Sequence, residues 1–193
     1  MNKIITTKQI VGTGLLLALE IILQIVGNYL QFGAVNINLS LMTIVLAAVL
    51  YGPLSGAILG FFNGLMALLS PSTIAIFMPV SQIGTIMACL LKTTLAGLLA
   101  GFVFKPFRNK NHLLGLIVCS VLVPLINTGV FSLFALLFFR PLLEAGVNEQ
   151  NPNIIAFLVF GFIGINFVFE IITTVVVTTP TGMILLKREK ATD

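Results

Sequence analysis

The chain has 193 residues, of which 58% are hydrophobic and only 8% charged, with a net charge of +4 and a mean hydropathy of +1.14. A water-soluble domain wets its surface with roughly a quarter charged residues, so a soluble globular fold is excluded and lipid must cover most of the perimeter. The apolar runs are continuous and long, as over residues 113–139, whereas a membrane β-barrel alternates apolar and polar positions in segments of about ten. An all-α integral membrane bundle is what remains.

A crossing needs about 20 mostly apolar residues. Six are predicted, over residues 10–26, 39–50, 54–69, 83–104, 113–139 and 155–186, in a single transmembrane domain that takes up residues 1–193. The first resembles a signal peptide, with Lys3 and Lys8 ahead of it, but no small-x-small cleavage site follows residues 15–26, so a retained span is expected. The second and third are short and joined by Tyr51-Gly52-Pro53, a tight turn in which Pro opens the next helix. In the sixth, Gly161 and Gly164 are expected to loosen the start and Pro180 to kink the end.

Basic residues orient the bundle. With six spans both termini share one side, which then carries Lys3, Lys8, Lys105, Arg108, Lys110, Lys187, Arg188 and Lys190, against Arg140 alone on the other. Both termini and the 105–111 loop are therefore expected in the cytoplasm, and topology rather than nucleic acid explains the positive charge. Three outer connections follow, at 27–38, 70–82 and 140–153. The first two carry polar but no charged residues, and read either as interfacial loops or as lids over a ligand.

Three charged residues fall deep inside predicted spans: Glu20, Lys92 and Glu170. Each would cost about 2.5–3.5 kcal/mol at mid-bilayer, so each should face the protein interior or water. Lys92 precedes Lys105 by 13 residues, Glu170 precedes Lys187 by 17, and Asn127 follows Lys110 by 17. At helical rise these offsets correspond to roughly 20–25 Å above the cytoplasmic clusters, which places polar groups of three helices together in the outer half of the membrane. Helical spacing groups them further. Thr85, Cys89, Lys92 and Ala96 form one stripe and Asn166, Glu170, Thr173 and Thr174 another, while Asn127 and Phe131 share a face that Phe134 and Phe138 continue.

Polar hooks beside aromatic walls suit a small-molecule pocket. The candidate substrate-binding residues are Lys92, Asn127, Phe131, Asn166, Glu170 and Thr85, joined by Asn36, Asn38 and Gln82 near the outer connections. The competing reading of the same pattern is a Lys92–Glu170 pair that only holds two helices together.

Small residues four apart let membrane helices approach closely. The first span offers Gly14 and Ala18, the third Gly56, Gly60 and Gly64. The third-span ridge can serve internal packing, which leaves Gly14 and Ala18 as a candidate docking face for another membrane subunit. No phosphate-binding glycine loop occurs, so any ATP hydrolysis must come from another chain. No metal-ligand spacing, nucleophile–base pair or cofactor motif is found, so neither a metal, a cofactor nor an enzymatic activity is expected. Cys89 and Cys119 lie within spans and read as small core residues. No half-to-half repeat is visible, which argues against a self-sufficient inverted-repeat carrier.

Three stretches bear a resemblance: Asn38-Leu-Ser-Leu-Met-Thr leading into Tyr51-Gly-Pro-Leu-Ser-Gly-Ala-Ile-Leu-Gly60; Cys89-Leu-Leu-Lys92-Thr-Thr-Leu-Ala-Gly97-Leu-Leu-Ala-Gly101; and Asn127-Thr-Gly129. With the length, the span count and the first-span small-xxx-small motif, the chain resembles the substrate-binding S components of energy-coupling factor (ECF) vitamin transporters. That resemblance implies a six-helix bundle in a bacterial cytoplasmic membrane, binding a vitamin tightly from outside in a pocket built mainly from helices four to six, with the first and third loops as lids. It further implies a transmembrane coupling subunit bearing two ATPases, docked through the first helix where Gly14 and Ala18 match, and transport by toppling of the whole S component. The family often has Ala-xxx-Ala where this chain has Gly-xxx-Ala.

The overall look is most similar to pantothenate-specific members. Lys92 would then meet the vitamin's carboxylate, and Asn127, Asn166 and loop amides its amide and hydroxyls. Cobalamin, pyridoxine-like compounds and hydroxymethylpyrimidine stay open as alternatives. So does an autonomous transporter that uses Glu20 and Glu170 as proton sites.

Overall fold

A computed structural model of the chain describes residues 7–29, 31–32, 35–36, 38–148 and 150–192, excepting the side chains of 28–36, 161, 162, 165 and 189–192. In chain order it runs through α1 (Thr7–Tyr29), the two-residue strands β1 (Gln31–Phe32) and β2 (Val35–Asn36), α2 (Leu41–Tyr51), α3 (Pro53–Leu68), α4 (Pro71–Ile76), α5 (Gln82–Phe104), α6 (His112–Phe138), α7 (Arg140–Ala145), α8 (Ile154–Ala156) and α9 (Gly164–Thr192). The architecture is an all-α membrane bundle of six principal helices. Four of them, α1, α5, α6 and α9, contain segments long and apolar enough to cross a membrane, while α2 and α3 are shorter apolar helices.

The centre is α2. Its residues Leu41–Leu50 are all buried, as expected of a helix that is apolar on every side. Leu41, Ile44, Val45 and Val49 form one core with Leu59 of α3, Ala96, Ala100 and Phe104 of α5, Leu116, Cys119 and Val123 of α6, and Leu186 of α9. The chain then reverses at Gly52, whose φ of 98° favours glycine, and Pro53 takes the first position of α3.

The third-span ridge is an internal seam. A Cβ on Gly56, Gly60 or Gly64 would strike the backbone of α5 at Gly97, Thr93 or Cys89 respectively, and Gly97 meets Gly56 from the other side. The two backbones run antiparallel in direct contact, and Thr93 Oγ1 donates to the Gly60 carbonyl at 2.6 Å. This seam fixes the rotation of α5 and so decides where Lys92, next to Thr93, can point.

The sixth predicted span is not continuous. α8 passes into a π-helical stretch, Phe157–Ile163, which ends at Gly164 with φ 35° before α9 begins. Gly164 allows the break because a side chain there would be strained. α9 then continues through Pro180 to Thr192.

The outer connections are also more structured than plain loops. β1 and β2 pair antiparallel, Gln31 with Asn36 and Phe32 with Val35. Ser70 Oγ caps α4 by accepting from the Thr73 amide at 3.3 Å, and α7 carries an exposed Arg140–Glu144 pair at 2.9 Å. At the opposite end of the bundle, Gln9 and Ile10 of α1 line one groove with Lys105, Arg108 and Asn109. The start of α1 and the basic loop therefore lie together.

Candidate ligand-binding site

A cavity of about 480 Å³ opens at the end away from the basic loop, within the size range of small-molecule sites. Five segments wall it: Gln24 and Gly27 of α1; Asn38; Ser70, Thr73 and Phe77 around α4; Thr85, Cys89 and Lys92 of α5; and Asn127 and Phe131 of α6. Ile163, the last residue of the π-helical stretch, and Asn166, Phe167 and Glu170 of α9 close it.

Of the nine residues predicted to bind substrate, seven share this wall: Lys92, Asn127, Phe131, Asn166, Glu170, Asn38 and Thr85. Gln82 does not. It is the exposed first residue of α5, next to the Ser81 cap. The Asn36 side chain lies outside the described residues, although its backbone is in β2.

The Lys92 ammonium sits 5.3 Å from the centroid of the Phe131 ring, a cation–π distance. Lys92 and Glu170 both line the cavity, yet no salt bridge joins them among the described residues. The two groups are thus not in direct ion-pair contact. Phe131 also meets Phe77 edge to face at 5.8 Å, and Phe77 lies 5.0 Å from the buried Phe139. These three rings make the aromatic wall; Phe134 and Phe138, expected to continue it, stack on each other at 5.8 Å outside the cavity lining. Opposite in character is Asn127, only 6% exposed, whose Oδ1 has no donor among the described residues. Thr85 is buried and its hydroxyl donates to the Ser81 carbonyl at 2.7 Å. The arrangement offers one cation, one carboxyl, several amides and an apolar aromatic face. No metal-holding cluster occurs among the described residues.

Reasoning from sequence missed Gln24, Phe77 and Phe139 as wall residues. Gln24 had a signal: it follows Glu20 by four positions on an otherwise apolar helix. The aromatic pair had none, since Phe77 reaches the wall only through the fold of the 70–82 connection.

Gly14 and Ala18 lie on the other side of α1. Gly12 packs against Tyr51, and Glu20 faces inward, but a Cβ on Gly14 would meet nothing within 4 Å among the described residues. Ala18 is exposed, as are Ile10, Val11, Leu15, Leu19 and Ile22 around it.

Residues 8–182 match the family model of the ECF transporter, substrate-specific component. The chain is also 30% identical over 196 aligned positions to a protein described as pantothenate transporter PanT from Leuconostoc mesenteroides subsp. mesenteroides, covering 93% of each. No solved structure matches. The chain belongs to the substrate-specific components of ECF transporters, membrane-embedded transport subunits rather than enzymes.

Proposed function

We propose that this chain captures pantothenate at the outer face of a bacterial cytoplasmic membrane and delivers it inward together with a coupling subunit that bears two ATPases. The observation that carries the reading is the cavity: a lysine and a carboxyl that share its wall without direct salt-bridge contact, set among amides and aromatic rings. Pantothenate presents one carboxylate, one amide and two hydroxyls around a gem-dimethyl carbon. Lys92 takes the carboxylate, Asn127 and Asn166 take the amide and hydroxyls, and the Phe131 side of the wall takes the methyl groups. Pyridoxine and hydroxymethylpyrimidine have no carboxylate for Lys92. The similarity to a pantothenate transporter supports the same choice.

Both termini are cytoplasmic in this reading, and residues 70–82 act as a lid. The exposed Gly14–Ala18 face is the docking surface, because the other small-residue ridge is already consumed by the α3–α5 seam.

The test is calorimetry on the purified chain with pantothenate, cobalamin, pyridoxine and hydroxymethylpyrimidine, followed by uptake into vesicles. Pantothenate binding without uptake, and uptake only when the ATPase-bearing partners and ATP are added, is the expected result. Selective binding of another vitamin would replace the ligand. Accumulation by the chain alone under an imposed proton gradient would replace the mechanism with autonomous proton coupling.

A further inference from the structure

Lys92, Asn127 and Glu170 reach the cavity from α5, α6 and α9, which pack on one another. Gln24 and Asn38 reach it from α1 and from the approach to α2, and α1 packs on α2 and α3 instead. Both amides are half-buried. Behind them, outside the cavity lining, stand Ser40 and Asn63, which are fully buried. Ser40 Oγ donates to Asn38 Oδ1 at 2.6 Å and lies 2.7 Å from Gln24 Oε1. Asn63 Nδ2 donates to Ser40 Oγ and, at 3.4 Å, to Gln24 Oε1.

Donors and acceptors balance in this cluster. The Asn63 amide has two N–H groups and the Ser40 hydroxyl has one O–H. The acceptors they meet are Ser40 Oγ, Gln24 Oε1 and Asn38 Oδ1, so Asn63 serves the first two and Ser40 the third. The carbonyl ends of Gln24 and Asn38 are therefore engaged by the protein. Their amide N–H groups are what remains for the cavity, and no acceptor for them occurs among the described residues. Asn127 contributes the reverse, an Oδ1 that has no donor among the described residues.

We propose that Gln24 is a further ligand-binding residue whose amide donates, together with that of Asn38, to hydroxyl oxygens of the ligand. Ser40 and Asn63 are the positioning residues that hold both amides in this sense. The inference rests on the cavity taking pantothenate with its carboxylate on Lys92. The hydroxyls lie at the other end of that molecule, which leaves them for the α1–α2 side of the wall. The site then selects a hydroxyl-bearing acid over an apolar acid of the same shape.

Calorimetry tests this with pantothenate and with its analogue in which both hydroxyls are replaced by hydrogen. Gln24→Met keeps the length of the side chain and loses the donor. It should weaken pantothenate by about five- to tenfold and leave the analogue within about twofold. Equal loss for both ligands, or no loss for pantothenate, would overturn the proposal. Ser40→Ala should likewise weaken pantothenate and spare the analogue; a loss shared by both would overturn the positioning role. If Gln24→Met fails to fold, Asn38→Ala, outside any helix, removes the other half of the donor pair and is judged by the same ratio. Wild type that ignores pantothenate but takes another vitamin of the panel would replace the ligand alone. Each of those vitamins also carries hydroxyls, so Gln24→Met should weaken it as much, and unchanged affinity would overturn the proposal. Binding of none would overturn both readings.

Discussion

Lys92 points its ammonium at the face of Phe131, 5.3 Å from the ring centroid, and not at Glu170 on the same cavity wall. A cation held by a ring quadrupole is stabilised by about 0.5–2 kcal/mol, less than a buried partner carboxylate would supply. The cation is thus positioned without direct contact to the Glu170 carboxyl, which leaves its N–H donors for an anionic ligand. Phe131 is held in turn by Phe77, so the lysine's seat depends on the connection between α3 and α5.

Lys92→Met should weaken pantothenate binding by roughly ten- to a hundredfold, the loss of a charge-assisted hydrogen bond of about 1.5–3 kcal/mol. The melting temperature of the empty protein should barely change, because no salt bridge is lost. Calorimetry and a thermal melt on the same preparation check both. Unchanged affinity with a lowered melting temperature would restore the helix-gluing reading.

Gly14→Leu with Ala18→Leu should leave ligand affinity at the wild-type level, since nothing among the described residues packs within 4 Å of a Cβ on Gly14. Assembly with the coupling subunit should fail, because two leucines hold helices apart where small residues allow close approach. Calorimetry and a pull-down on one double mutant give opposite results for a docking face and an internal seam.

Gly60→Val should destabilise the isolated protein by roughly 1–3 kcal/mol, as overpacking typically does, because its Cβ meets the Thr93 backbone. Ligand affinity should fall with it, as a displaced α5 carries Lys92 out of position. Thr93→Val removes only the hydrogen bond to Gly60 and should cost about 0.6–1.7 kcal/mol. Melting temperatures in detergent rank the two, and a larger effect from Thr93→Val would contradict the seam.

Residues 70–82 should exchange amide hydrogens more slowly when pantothenate is bound, since Ser70, Thr73 and Phe77 line the cavity. Hydrogen exchange with and without ligand reads this segment directly. Equal exchange in both states would make the connection a plain linker.

Gly164→Val should lower both stability and affinity. A β-branched residue at φ 35° is strained, and the break it sits in directs Ile163, Asn166 and Phe167 to the cavity. Gly129→Ala on α6, where an added Cβ meets nothing within 4 Å, is the control and should change neither.

The helical bundle was legible from the sequence because lipid leaves a chain few solutions. Long apolar runs with two short ones between them dictated the helices, and the Tyr51-Gly52-Pro53 turn dictated the reversal. Depth was legible too: counting residues from the basic clusters put Lys92, Asn127 and Glu170 at similar heights, and all three line one cavity. What depth and periodicity leave undetermined is rotation and partner. The α3–α5 backbone seam, not any local preference, turns Lys92 toward Phe131. The fold of the 70–82 connection brings Phe77 to the wall, and the loosening expected at Gly161 and Gly164 takes the form of a π-helical stretch that ends at Gly164. Gln24 joined the site for the same reason. Its neighbours Ser40 and Asn63 come from other helices, and hydrogen bonds between distant segments exist only once packing has brought their donors and acceptors together.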